Sequence, residues 1–359
     1  MCWMLAGCSD HDQQQQKFEN YLWRLSNVLD LEYTTPVLPV IVLPEKRAIR
    51  LPIKEYSIDL LDFLAITGCR LQHIAGYKNS GLGRVMVDSQ KLLYEYRFIE
   101  EAPACIESLQ SSDVDLANHL SEILEQKKLQ LPLHQWNAFW TSQEVRHYYG
   151  VSKQWLSTDQ QLVLPESKVQ TLMLVLNADA QTIPEIDQVA DDFEEALGSF
   201  QYSNTAGEAL ITYQLVIEYL KQGSRMLETD KALTLCRVKP DGSLYISDKA
   251  QILHNVFLKF YIQDIQTYMS FLNREGSRFW QQQAEFLQAT RRALIDMDTA
   301  YLDPALLKER FDPFAENYID FQSDRSLWRQ FHKELQRHTK AWQTVLSHCG
   351  LMPKAPGNL

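Results

Sequence analysis

Between Ile252 and Leu272 the chain sets apolar side chains in a wide stripe four residues apart: Ile252/Leu253, Val256/Phe257, Phe260/Tyr261, Ile265, Tyr268/Met269 and Leu272. Trp328, Phe331, Leu335, His338, Trp342 and Val345 follow at alternating spacings of three and four. Both are patterns of helices with one buried face; the first reads as core packing and the second as the seam of a helix packed against other helices. The theme recurs along the chain. Phe18 to Asp30, Asp113 to Leu129, and segments 166–177, 185–197 and 207–228 read as amphipathic helices. A separate aromatic-rich helix is expected at Trp136, Phe139 and Trp140, leading to Tyr148 and Tyr149 before Gly150. Ser57 is expected to cap a helix carrying Ile58, Leu60, Leu61 and Leu64, which Gly68 ends before Cys69. Another helix is expected from Val87 to Glu101, closed by Pro103.

Thirteen Gly and thirteen Pro are few for a chain of 359 residues, which argues against many turn-linked strands. Pro240-Asp241-Gly242 is the one place where a hairpin is expected. Pro36, Pro39, Pro44 and Pro52 surround Val37-Leu38 and Val40-Ile41-Val42-Leu43. Prolines at that density forbid a helix and point to an extended strap lying on the body. The expected fold is therefore all-α: an irregular multi-helix bundle with a Pro-rich N-terminal strap. No repeat of fixed period occurs, so residues 18–359 read as a single helical body, with any sub-division falling near 150–165.

Leu5-Ala6-Gly7-Cys8 has the form of a bacterial lipobox, an apolar residue and two small ones before a cysteine that receives lipid. Residues 1–7 then read as the remnant of a signal peptide and Cys8 as the acylated N-terminus. A basic leader and an apolar run normally precede such a site, so either the translation start is expected upstream of Met1 or the sequence is trimmed there. Residues 8–17, with Gln13-Gln14-Gln15-Gln16, read as the lipidated cysteine and a polar tether. Ser9, directly after the cysteine, resembles the pattern of lipoproteins sent to the outer membrane, and the body is expected to face the periplasm.

In that compartment the remaining cysteines, Cys69, Cys105, Cys236 and Cys349, are expected to form disulfides. Four cysteines allow three connectivities; Cys69–Cys105 with Cys236–Cys349 is favoured because each pair closes one contiguous half of the chain. The net charge of −11 repels a phosphate backbone and argues against nucleic acid as a partner. The expected partners are the membrane, through the lipid anchor, and another envelope protein.

Cys69-Arg70-Leu71-Gln72-His73-Ile74-Ala75, then Asn79-Ser80, Leu82-Gly83-Arg84-Val85, Ser89, Leu92, Tyr94-Glu95 and Cys105 resemble an uncharacterised family of Gram-negative lipoproteins, known only as a domain of unknown function. Asn255-Val256-Phe257, with Lys259-Phe260-Tyr261-Ile262, fits the same family. The resemblance spans most of the mature chain. It implies a helical lipoprotein and brings no catalytic residues.

Nucleophile elbows, paired-histidine zinc motifs, Cys-x-x-Cys and phosphate loops are missing from the sequence. Neither a cofactor nor a metal is expected. Glu144-x-x-His147 is half of a di-iron pattern without its second half, and His338 on an apolar seam reads as a hydrogen-bonded core histidine. Asp191, Asp192, Glu194 and Glu195 read as a solvated acidic face. Arg325, Arg329, Lys333, Arg337 and Lys340 can face anionic lipid or a partner, but read first as cations paired across an acidic body.

One cluster is a candidate ligand site: Asn79, Ser80, Arg84, Tyr94 and Glu95, polar groups around the Gly81-Leu82-Gly83 turn. They can line a small site for a carboxylate or sugar, with Arg84 as the anion contact. In the structural reading, which the sequence favours, Asn79 and Ser80 cap the next helix and Arg84 pairs with Glu95. The leading expectation is thus a non-enzymatic accessory module of the envelope. The rival is an envelope enzyme or small-ligand binder with a pocket near Arg84 and Glu95. A deep pocket with convergent polar groups favours the rival.

Overall fold

The aromatic stripe of the C-terminal helix packs against the N-terminal helix through Tyr21 and against Tyr213, Ser224 and Phe257 from the middle of the chain. A computed structural model describes residues 10–56, 66, 68–295 and 297–353. It runs α1 (Asp10–Leu29), the single turn α2 (Lys46–Ile49), α3 (Arg70–Asn79), α4 (Asp88–Leu109), α5 (Val114–Trp140), α6 (Gln143–Tyr148), α7 (Glu166–Leu176), α8 (Ile186–Gly198) and α9 (Thr205–Leu227). After α10 (Asp230–Leu233) come the strands β1 (Cys236–Val238) and β2 (Leu244–Ile246), then α11 (Asp248–Val256), a π-helical segment Phe257–Gln266 and α12 (Thr267–Ile295). α13 (Pro304–Arg310), α14 (Asp312–Tyr318) and α15 (Leu327–His348) complete it. The fold is all-α apart from the hairpin. The lipobox with Cys8, and the helix expected after Ser57, lie outside the described residues.

Local chemistry starts several of these helices. The Asp113 carboxylate accepts from Leu116 N at 3.1 Å, Ser142 Oγ from Val145 N at 3.2 Å, and Ser326 Oγ from Arg329 N at 3.3 Å, each satisfying an orphan N–H of a first turn. The hairpin falls at Pro240-Asp241-Gly242, with Cys236 opposite Ile246 and Gly242 at φ +80°. That left-handed backbone suits glycine.

A contiguous apolar cluster takes side chains from α1 through α15, and Trp155, Leu156 and Leu162 of the connecting segment belong to it. α9 is buried almost all round. His338 joins three helices there. Tyr21 OH lies 2.7 Å from its Nε2, Ser224 Oγ lies 3.1 Å from its Nδ1, and Trp342 Nε1 donates to Tyr21 OH at 2.9 Å. Disulfides join Cys69 to Cys105 and Cys236 to Cys349, spanning 36 and 113 residues. The second ties the hairpin to the end of α15.

Several boundaries differ from the sequence expectation. Residues 10–17, read as tether, continue α1 as helix; Gln14 is buried and Gln15 Nε2 donates to Glu19 Oε1 at 2.9 Å. Once buried Phe18, Tyr21 and Leu22 fix the helix, each added residue gains a backbone hydrogen bond at little further cost. Pro103 does not close α4 but lies inside it, exposed, between buried Ala102 and Cys105. Pro132 likewise lies inside α5, so the amphipathic and aromatic segments expected as two helices are one. In both, packing of α4 along α5 outweighs the roughly 3 kcal/mol that an interior proline costs.

The proline-rich stretch holds the helical turn α2 between Pro44 and Pro52, where the prolines were read as forbidding any helix. In residues 31–45, which carry no regular element, Ile41 and Leu43 are buried and Val40 and Val42 exposed. The stripe from Ile252 keeps its inner side, while Ile252 itself is half exposed. Its middle is π-helical, and Phe257, Tyr261 and Ile265 are the buried positions there. The Phe257 ring lies 5.1 Å from that of Trp342. Among the described residues no helix is long and apolar enough to cross a membrane.

Candidate ligand-binding site

Lys127, Gln130, His134 and Asn137 of α5, with Thr141 at its C-terminal cap, repeat at spacings of three and four, so they form a polar stripe along one face. All five are buried. Against that stripe lie α4 and the chain around α2, and the side chains show why. Asn137 Oδ1 accepts from Leu51 N and its Nδ2 donates to Leu51 O, both at 2.9 Å, and Gln130 Oε1 accepts from Lys54 N at 2.7 Å. Segment 50–54 is thus laid along α5 by side-chain amides that stand in for a neighbouring strand. Arg50 forks onto Asp88 of α4 at 2.5 and 2.6 Å, and Thr141 Oγ1 donates to the same carboxylate at 3.0 Å. Burial works to raise the Asp88 pKa, but Arg50 and Thr141 prevail and hold it below the usual carboxylate range.

These elements enclose a cavity of about 600 Å³. Asn79, Arg84, Tyr94 and Glu95 line it, together with Lys127, Gln130, His134 and Asn137. Ser80 is not part of the lining; its hydroxyl accepts from Gly83 N at 3.1 Å and shapes the turn. Gly83 packs so closely on the end of α3 that a Cβ would meet Tyr77 O at 2.1 Å. The expected Arg84–Glu95 pair is not formed. Arg84 stands exposed on the turn Gly83–Val85, while Glu95 lies two turns inside α4 and meets Lys127 Nζ at 2.7 Å. Nor do Asn79 and Ser80 cap the following helix, because α4 begins only at Asp88, after Val87.

The pair Lys127–Glu95 is 5% and 4% exposed. Burial lowers the Lys127 pKa from its ordinary value, against the opposing pull of Glu95. His134 Nε2 lies 3.9 Å from Glu95 Oε1, yet burial outweighs that carboxylate and takes its pKa down to about 4, so the imidazole is neutral near pH 7. Tyr94 is a neutral phenol, its pKa raised by burial and by Glu95. The ammonium groups of Lys78 and Lys127 lie 5.0 and 5.2 Å from its ring centre.

Seven cations line the cavity against three carboxylates. Asp88 is taken by Arg50 and Glu95 by Lys127. Arg47, Lys54, Lys78, Arg84 and Lys91 then face Glu55 alone, and none of the five forms an ion pair among the described residues. Concentrated positive charge in a chain of net charge −11 is an anion-attracting field. Chemically the site can hold and orient an anion through ammonium, guanidinium and amide donors. Among the described residues no group of three or more His, Cys, Asp or Glu side chains could hold a metal ion.

Sequence reasoning found the α3–α4 side of this site and missed α5 and segment 46–56. The signal was present in the spacing of Lys127, Gln130, His134, Asn137 and Thr141. Ending the first helix at Leu129 cut that stripe in two. Elsewhere, His338 is the buried, hydrogen-bonded histidine expected, and His147 is exposed. Of the C-terminal cations, Arg325 pairs with Glu316 at 3.3 Å and Arg337 with Glu228 at 2.6 Å.

The model of a protein family described as "Protein of unknown function (DUF3080)" matches residues 18–353. No curated protein and no solved structure matches the chain.

Proposed function

Since the chain belongs to DUF3080, a family of unknown function, we propose a function from its own geometry: a lipid-anchored protein of the bacterial envelope that binds an anionic group in its pocket. The lipobox ending at Cys8 supports the anchor, and the disulfides suit an oxidising compartment. The observation that carries the binding reading is the set of five cations that form no ion pair among the described residues, around a cavity in an acidic chain. A deep pocket with convergent polar groups is the feature that separates a ligand binder from a purely accessory surface. The reading is of binding rather than catalysis. Lys127 and Glu95 neutralise each other, and the Ser80 hydroxyl is engaged by the backbone.

Calorimetric titration with inorganic pyrophosphate at low salt tests this. The expected result is saturable binding that weakens about tenfold or more in Arg84→Ala/Lys91→Ala, since a hydrogen bond to a charged group contributes roughly 1.5–3 kcal/mol and 1.4 kcal/mol is tenfold. Lys333→Ala, an exposed cation on α15, should leave binding unchanged. Absence of binding, or equal affinity in the double variant, overturns the reading. Intact mass of the chain expressed with its upstream sequence tests the anchor: a mass from Met1 without acyl groups refutes it.

A further inference from the structure

The loop that borders the pocket has a second, outward side, and that side is apolar. Between α3 and α4, Gly83, Arg84 and Met86 line the cationic cavity, whereas Leu82, Val85 and Val87 are 73%, 74% and 58% exposed. Tyr77, near the end of α3, is half exposed as well. Single exposed apolar residues are ordinary, but several grouped on one short loop mark a surface that is covered in use. The charge around them indicates the cover. Arg84 lies within the loop, Lys78 and Lys91 flank it on α3 and α4, and none of the three is neutralised by an ion pair among the described residues. Apolar tips set among unpaired cations fit the boundary of an anionic bilayer, where the tips enter the acyl region and the cations stay level with the phosphates.

A second cavity, of about 470 Å³, shares Met86 and Tyr94 with the first. Ile74, Leu93 and Ala190 give it apolar surface, and Asp191, Glu194 and Arg97 also line it, Arg97 being paired with Asp187 at 3.0 Å. Those carboxylates oppose an anion. A charged head group is therefore directed to the first cavity, and hydrocarbon is the part of an amphiphile that fits beside Met86 in the second.

We propose that the pocket's ligand is the phosphate head group of an anionic membrane lipid, engaged at a bilayer on which Leu82, Val85 and Val87 dock. This rests on the reading of the pocket as an anion site and adds the class and source of the ligand.

The test is flotation of the full chain carrying Cys8→Ser, which removes any acyl anchor, with vesicles of phosphatidylglycerol or of phosphatidylcholine. The net charge of −11 opposes unspecific adsorption to the anionic vesicles. The expected result is at least about tenfold stronger binding to phosphatidylglycerol. Leu82→Ser/Val85→Ser, whose altered side chains are already in solvent, should abolish that preference while keeping pyrophosphate binding. Arg84→Ala/Lys91→Ala should lose both. Pyrophosphate binding that depends on Arg84 and Lys91, without any preference for phosphatidylglycerol, overturns the lipid proposal and leaves the anion site standing. Vesicle binding untouched by Arg84→Ala/Lys91→Ala also overturns it, because adsorption would then not involve the pocket. Absence of both pyrophosphate and vesicle binding in the chain that keeps Arg84, Lys91, Leu82 and Val85 overturns both readings.

Discussion

An ammonium group taken out of water costs several kcal/mol unless it is paired, and Lys127 and Glu95 are buried together at 2.7 Å. Tyr94 and Phe98 place their rings 5.2 and 4.6 Å from the same Nζ and complete its surroundings. Removing one partner strands the other charge. Lys127→Met should therefore destabilise the protein by about 3–5 kcal/mol, whereas Lys127→Met/Glu95→Gln should recover most of that loss. Urea unfolding of the two variants checks this; equal losses would mean that the pair is not the source. Glu95 was recognisable in sequence as a candidate polar residue, but its partner was not. Arg84 is eleven residues away along the chain and Lys127 thirty-two, and only the packing of α4 on α5 makes the distant one the neighbour.

The elements of the site show the same division. Periodicity is a local property, so the long helices and the hairpin at Pro240-Asp241-Gly242 were legible. Helix ends were less so, because Pro103 and Pro132 are strong local stops that tertiary packing overrides. Segment 50–54 has no periodic signal at all. Its course is set by Asn137 and Gln130, whose amides replace the hydrogen bonds that a strand would receive from a neighbour. Asn137→Ala leaves Leu51 N and O without these partners, at about 1–3 kcal/mol for an unsatisfied buried group. The expected outcome is faster amide hydrogen exchange at Leu51 with little change in the core of α9. Unchanged protection at Leu51 would show that apolar contacts, not Asn137, hold the segment.

Across the whole molecule two buried histidines, His134 and His338, couple stability to pH. His134 is held to about 4 and His338 to about 3, each chiefly by burial, against roughly 6.5 in an unfolded chain. Glu95 and Lys127 face the first, while Tyr21, Ser224 and more distant Glu228 and Arg337 surround the second. As pH falls below about 6.5 the unfolded chain takes up protons that the folded chain refuses. Their contribution is complete above that pH and lost downward through the folded values. For His134 the loss is about 3 kcal/mol by pH 4. Urea midpoints measured from pH 7 to pH 4.5 should fall, and His134→Gln should flatten the slope; a slope unchanged in that variant assigns the effect elsewhere.

The sequence by itself determined the helical class, most helix positions, the hairpin and the α3–α4 half of the pocket, since each depends on residues close together in the chain. Tertiary structure decided which charges meet, which prolines are tolerated and where the cationic cavity opens. Those outcomes depend on burial and on contacts between residues far apart in sequence, which alone set the cost of a bare charge or an unpaired amide.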